Sequence, residues 1–122
     1  MKLCGIVSLT TLGIGLILGQ HLAAAPAEPA GDYSAGEISL RFDGHGGLQL
    51  RKGDEVLVNA RYAIAGDRIT LTDESGPMAC KGAQSRGEYR WTLTNDALTF
   101  ALVEDPCDGR SGDLPRAWTR AR

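Results

Sequence analysis

The chain has 122 residues, of which 43% are hydrophobic and 23% charged, and its formal net charge is −2. From residue 28 onward, twelve Lys or Arg residues stand against fifteen Asp or Glu residues, with the two signs alternating along the chain. The absence of a basic patch excludes the usual electrostatic basis of nucleic-acid binding.

The first 27 residues follow the three-part plan of a secretory signal peptide. Lys2 precedes an apolar run over 3–18, and the small-residue stretch 23–27 follows. The run is shorter than the roughly 20 residues of a membrane span, so we favour cleavage after Ala27 over a retained anchor. We therefore expect a secreted or periplasmic protein that meets the membrane only during export.

Removal of this leader takes Cys4 away and leaves about 95 residues with two cysteines, Cys80 and Cys107. A single core gives only marginal stability at this size, and paired cysteines are usual in exported chains. A disulfide between them closes a loop of about 28 residues and contributes about 3 to 4 kcal/mol. Two separate thiols are the alternative. We expect no zinc site, because the cysteines are far apart and lack histidine neighbours.

Short runs of alternating hydrophobicity follow from Tyr33 onward, separated by Gly, Asp and Asn turns, and this period of two predicts strands. The predicted strands are 37–42, 48–51, 56–65, 68–73, 87–94, 97–104 and a short one near 117–120. No segment has a helical period. We expect 28–36 to be a linker and first-strand lead-in, and 37–122 to be a β-barrel domain.

Four tight connections allow the register to be tested, because a one-residue slip would send apolar side chains to solvent. All four place apolar residues on one face. The predicted pairs are Phe42 with Leu48, Leu40 with Leu50, Leu50 with Val56, Leu48 with Val58, Ile64 with Ile69, Tyr62 with Leu71, Leu93 with Leu98, Trp91 with Phe100, and Tyr89 with Leu102. Such consecutive hairpins predict an all-β, antiparallel up-and-down meander, in which about seven or eight strands close into a barrel.

The aromatic hairpin over 89–100 leads into the motif Asp105-Pro106-Cys107-x-Gly109-Arg110, and Leu114 and Trp118 follow. This pattern resembles the small lipocalin-like (calycin-type) domains of secreted bacterial proteins. The resemblance covers about residues 60–120 and implies a meander barrel and, more loosely, the binding of a small apolar ligand. It adds more about fold than about function.

Four aromatic side chains are the candidate ligand-binding residues, namely Tyr62, Tyr89, Trp91 and Phe100. Aromatic walls are common in ligand cavities. However, about eighteen large apolar side chains point inward, and an eight-stranded barrel is only just wide enough for side chains or one small ligand. We therefore favour a packed interior for these four residues.

Asp105, Arg110 and Trp118 are assigned a structural role in closing the barrel. An arginine at this place can bond to carbonyls and stack on Trp91 or Trp118. A clamp for an anion or carboxylate at the barrel end is the alternative.

His45 and Asp43 share a glycine-rich loop that supplies neither a nucleophile nor further metal ligands. No serine has the G-x-S-x-G context, and no phosphate-binding loop is present. We therefore expect no catalytic residue, no metal and no cofactor.

These observations favour a non-enzymatic, exported binding module for a small hydrophobic molecule. The alternative is a protein-binding or hydrolase-inhibitor domain in which loops 43–47 and 74–86 contact a partner and expose Pro77 and Met78. A hydrolase would need two or more titratable side chains converging in one cleft, and no spacing in the sequence predicts this.

Overall fold

The computed structural model describes residues 28–121, so the predicted signal peptide over 1–27 lies outside the described residues. The strands are β1 Gly31–Ala35, β2 Ile38–Phe42, β3 Gly47–Lys52, β4 Glu55–Ala65, β5 Arg68–Ser75, β6 Arg86–Thr94, β7 Ala97–Glu104 and β8 Trp118–Arg120. A 3-10 turn at Gly82–Gln84 lies between β5 and β6, and the helix α1, Asp108–Asp113, lies between β7 and β8.

Each strand pairs antiparallel with the next, and β8 also pairs with β1, so the sheet closes into a barrel. The predicted up-and-down meander barrel is therefore confirmed. Closure gives most backbone N–H and C=O groups of the strands a partner, although β8 covers only the first two residues of β7.

The register is confirmed at three of the four predicted connections. Phe42 faces Leu48 across the first of them. Tyr62 faces Leu71 and Trp91 faces Phe100 across the other two. The turn between β6 and β7 has two residues with positive φ, 52° and 67°, as a type I′ hairpin requires.

The predicted register between β3 and β4 is wrong. Lys52 pairs with Glu55 across a two-residue turn, and a bulge then places Leu50 opposite Val58 and Leu48 opposite Ala60. A bulge inserts one extra residue into a strand. Because the sequence over 56–58 is apolar at all three positions, its alternation could not reveal this insertion.

Two elements were not predicted. Strand β1 lies inside the segment expected to be a linker and lead-in, and Tyr33 is its one buried residue. Helix α1 has six residues, and a single turn and a half is too short to display a helical period.

The core lies inside the barrel and consists mainly of inward-facing residues of all eight strands. Its buried members are Tyr33, Leu40, Phe42, Leu48, Leu57, Val58, Ala60, Ile69, Leu71, Tyr89, Trp91, Leu98, Phe100, Leu114 and Trp118. Leu102 pairs with Tyr89 as predicted, but 52% of its surface is exposed. This exposure arises because β8 pairs with β7 only at Ala97 and Leu98.

One end of the barrel, which we call the mouth, carries the two long connections 76–85 and 105–117, together with the turns before β2 and β4. The opposite end carries the other turns. The mouth also carries the disulfide and the buried ion pairs of Arg110.

Candidate functional site

A disulfide joins Cys80 and Cys107 at the mouth, as predicted, and their Cα atoms are 6.2 Å apart. This separation lies within the usual range for disulfides. The bond ties the connection between β5 and β6 to the residue that precedes α1, so the two long segments of the mouth are held together.

Arg110 is the centre of a buried polar cluster beside the disulfide, and only 8% of its side chain is exposed. Its Nε and Nη2 donate to the two carboxylate oxygens of Asp105 at 2.6 and 2.8 Å. Its Nη1 lies 2.9 Å from Oδ1 of Asp73. Nη1 and Nη2 also donate to the carbonyls of Ser85 and Gln84 at 3.0 and 3.1 Å. All three guanidinium nitrogens therefore have acceptors within the protein.

The two aspartates connect this cluster to the disulfide. The side chain of Asp105 is fully buried and accepts hydrogen bonds from the Tyr89 hydroxyl and from the Cys107 N–H, the latter at 2.9 Å. Asp73 accepts from the Cys80 N–H at 2.8 Å. Each cysteine thus donates its amide to one of the carboxylates that hold Arg110, so covalent and ionic links join the same segments.

Burial disfavours the charged forms of Asp105 and Arg110, but their hydrogen bonds and ion pairs stabilise these forms more strongly. Although burial raises it, the pKa of Asp105 lies below its usual value because Arg110, Tyr89 and the Cys107 N–H donate to the carboxylate. The pKa of Arg110 is likewise raised, against burial, by Asp105 and Asp73. Burial and the bond to Asp105 both raise the pKa of Tyr89. Asp105 and Arg110 are therefore ionised, and Tyr89 is neutral, near pH 7.

An apolar cavity of about 80 Å³ lies between this cluster and the barrel wall. The residues that line it are Leu40, Leu48, Leu50, Val58, Ala60, Leu71, Asp73, Met78, Cys80, Gly109, Arg110, Asp113, Leu114 and Trp118. The volume is roughly half that of an engineered 150 Å³ apolar cavity that binds benzene. The cavity therefore has room for a short alkyl group but not for a whole drug-sized ligand.

The four predicted ligand-binding aromatics do not line this cavity. Tyr89, Trp91 and Phe100 are buried in the core, where Tyr89 and Phe100 form an edge-to-face pair with ring centroids 6.2 Å apart. Tyr62 packs edge-on against Phe42 at 5.1 Å. The cavity is instead lined mainly by aliphatic side chains of β2 to β5.

Trp118 is fully buried, lines the cavity and donates its Nε1–H to the Leu114 carbonyl at 3.0 Å. The guanidinium over its ring, 5.9 Å from the centroid, is that of Arg116. Arg110 instead bonds to carbonyls and carboxylates.

Sequence reasoning missed several residues of the mouth. Asp73 was within reach, because the alternation of Ile69 and Leu71 continues to it and places it on the inward face. Met78 and Gly109 lie in irregular or very short elements, where no periodic signal marks the residues that cover the barrel.

In the loop after β2, the Asp43 carboxylate stabilises the conformation of the loop itself. Asp43 accepts the backbone N–H groups of His45 and Gly47 at 2.6 and 2.8 Å. These two bonds hold the pKa of Asp43 below its usual value.

Among residues 28–121, no group of three or more His, Cys, Asp or Glu side chains is placed to hold a metal ion. Over the same range, no helix is both long and apolar enough to cross a membrane.

Comparison with models of protein families, with curated proteins and with solved structures gives no match for this chain. A barrel of this kind hosts many unrelated functions. The function must therefore be inferred from the cavity and the charges around it.

Proposed function

We propose that this protein is an exported, non-enzymatic binding module that takes the apolar part of a small molecule into the mouth cavity. The observation that carries this proposal is the apolar cavity of about 80 Å³ between the barrel wall and the disulfide-tied segments. Each apolar Å² that a ligand buries there stabilises the complex by about 25 cal/mol.

Two further observations support the proposal. The disulfide between Cys80 and Cys107 is compatible with an oxidising, exported compartment. The closed eight-stranded barrel is consistent with the lipocalin-like resemblance, which implies a small apolar ligand.

The polar cluster supports binding over catalysis. The side chains of Arg110, Asp105 and Asp73 are nearly or fully buried and bonded to one another or to backbone groups. The pKa of Tyr89 is raised, so its hydroxyl is a poorer nucleophile and base near pH 7 than an exposed tyrosine. These groups hold the mouth together and are not poised for proton transfer.

An NMR titration of the ¹⁵N-labelled protein with 1-pentanol tests the proposal. We expect saturable shifts of amides around the cavity, and their loss in Ala60→Leu, which adds bulk to the cavity wall. The matched control is Ala63→Leu, because Ala63 lies on the same strand but is exposed outside the barrel. This control should bind as the wild type does.

Two outcomes would count against the proposal. If 1-pentanol caused no amide shifts in the wild-type protein, or if the same shifts persisted in Ala60→Leu, the mouth cavity would not be the binding site. Native mass spectrometry of the protein recovered from its producing cells would then identify any natural small molecule.

The alternative of a protein-binding domain is favoured by one observation. Met78 is 55% exposed on the disulfide-tied connection, and Pro77 beside it is also exposed. Exposed apolar groups on an ordered loop are typical of contact surfaces. A bound protein in place of a bound small molecule in the native mass spectrum would support this function, and Met78→Ser should then release that partner.

A further inference from the structure

A row of polar side chains crosses the outer face of the barrel. Its members come one from each of the strands β1 to β5, lie directly opposite one another in register, and are Asp32, Arg41, Gln49, Asn59 and Ser75. Arg41 donates its Nε–H to Asp32 at 2.8 Å. Gln49 donates to Asn59 at 3.0 Å, and Asn59 donates to Ser75 at 3.2 Å. These cross-strand bonds hold the side chains in place, so the row is a preformed surface.

A groove of about 320 Å³ lies along the middle of this row and is partly open to solvent. Its polar lining consists of Arg41, Asp43, Gln49, Asn59, Arg61 and Glu74. The volume is about four times that of the mouth cavity and lies at the lower end of the range for small-molecule sites. Gly47 also lines the groove, where it pairs with Arg61 across β3 and β4 and has no side chain to occupy the space. The outer face thus carries a second concave surface, which is polar.

Three residues of the groove keep hydrogen-bonding groups for a ligand. Glu74 is exposed and forms no hydrogen bond or ion pair with the described residues. Arg61 donates only from Nη2, to the His45 carbonyl at 3.4 Å, so the N–H groups of its Nε and Nη1 are unused within residues 28–121. The Asn59 amide has two N–H groups and donates one of them to Ser75. The groove therefore presents donors and an acceptor to the same space.

The charges around the groove offset one another. Arg41 and Arg61 stand against Asp43 and Glu74. Arg41 is already paired with Asp32, and the Asp43 carboxylate accepts two amides of its own loop. An ion of either sign would meet a like charge beside an opposite one, so the groove favours neither anions nor cations.

Going beyond the proposed function, we infer that this groove is a second binding site and that it takes a neutral, polyhydroxylated molecule of the sugar class. Each sugar hydroxyl is both a donor and an acceptor, so neighbouring hydroxyls can bond to the Arg61 guanidinium, the Asn59 amide and the Glu74 carboxylate together. None of the described residues that line the groove is aromatic. Binding therefore rests mainly on hydrogen bonds that replace bonds to water, and each of them changes affinity only severalfold. We expect dissociation constants in the millimolar range.

The test is an NMR titration of the ¹⁵N-labelled protein with cellobiose and, separately, with maltose. We expect saturable shifts of amides in 41–49, 59–61 and 74–75 with at least one of these disaccharides. High salt should leave the affinity unchanged, because the ligand is neutral. Arg61→Met removes the guanidinium donors but keeps the stem, and it should weaken binding about three- to tenfold.

The matched control is Arg90→Met, because Arg90 is likewise exposed but lies on β6 and does not line the groove. This control should bind as the wild type does. The inference would be overturned by an absence of shifts with both disaccharides at about 50 mM, well above a millimolar dissociation constant. Shifts that Arg61→Met leaves unchanged would overturn it too, as would stronger shifts of the same amides with inorganic phosphate, which would identify an anion site. Each of these results leaves the proposed function standing, because 1-pentanol tests the mouth cavity separately.

Discussion

Replacing Arg110 by Met should destabilise the protein far more than the loss of a surface ion pair does. The substitution keeps most of the buried stem but leaves two carboxylates without their cation, on the fully buried side chain of Asp105 and on that of Asp73, which is 6% exposed. Breaking a buried pair in this way costs about 3 to 5 kcal/mol. A domain of this size has a total stability of about 5 to 14 kcal/mol, so at least about a fifth of it would be lost.

The assay is urea unfolding of the oxidised protein at pH 7, followed by the fluorescence of its two buried tryptophans. The matched control is Arg68→Met, because Arg68 forms an ion pair of the same length as that between Arg110 and Asp73, 2.9 Å, with Glu88, but with both partners about one third exposed. This control should lose less than about 1 kcal/mol. On heating, Arg110→Met should melt about 12 to 40 °C lower than the wild type.

A double variant separates the lost bonds from the stranded charge. Adding Asp105→Asn to Arg110→Met removes the buried carboxylate charge and should recover about 1 to 2 kcal/mol. If Arg110→Met instead cost no more than Arg68→Met, or if the double variant were the sum of its two single variants, the buried cluster would not act as the unit described above.

Three further predictions concern the same region. The stability contributed by Asp105, whose pKa is lowered, is present above the unfolded value of about 3.9 and should be lost as the pH falls through the folded pKa. The stability contributed by Tyr89, whose pKa is raised, is present below about pH 10 and should be lost at higher pH. Urea unfolding midpoints measured across this pH range should fall at both the acid and the alkaline end. The variant Tyr89→Phe should lack the alkaline fall. Gly87→Ala should cost about 1 to 3 kcal/mol in urea unfolding, because its Cβ would lie 2.5 Å from the Asp105 carboxyl carbon, while Gly109→Ala, whose Cβ meets open space, should be neutral or stabilising. Replacing both cysteines of the disulfide by serine should cost about 3 to 4 kcal/mol and speed amide exchange in 76–85.

Results of the opposite kind would contradict these predictions. A free energy of unfolding that stayed constant from pH 3 to pH 11 would mean that Asp105 and Tyr89 have the same pKa in the folded and unfolded states. If the two glycine substitutions changed the free energy of unfolding equally, Asp105 would not be closely packed against Gly87 on β6. Unchanged exchange in 76–85 after loss of the disulfide would show that hydrogen bonds alone hold this segment.

The sequence predicted the barrel where alternation and turn residues agreed. Asn95 and Asp96 tolerate positive φ, and the apolar residues on either side of them fix one register. The prediction failed at 56–58, where three successive apolar residues carry no phase. It also missed β1, whose one buried anchor, Tyr33, gives no repeat to detect.

The candidate site was harder to predict than the fold, because its members come from elements without periodicity. The assignment of the four aromatics to a ligand site followed residue type, but the structure brings aliphatic side chains to the mouth. Arg110 and Asp105 were singled out from their motif, yet their partner Asp73 is 32 residues or more away in the sequence. Only the closed sheet places these three side chains together.

The short strand β8 has a consequence for how this chain reaches its native state. It is the last strand in chain order, and its three residues join β1 to β7 by pairing Arg120 with Tyr33 and Trp118 with Leu98. A chain that emerges from a ribosome or an export channel in N-to-C order must therefore present the open edges of β1 and β7 until β8 is released. Barrel closure then depends on contacts of very large sequence separation, which form slowly. We expect this interval to be the stage at which the chain is most exposed to proteases and to mispairing with other chains.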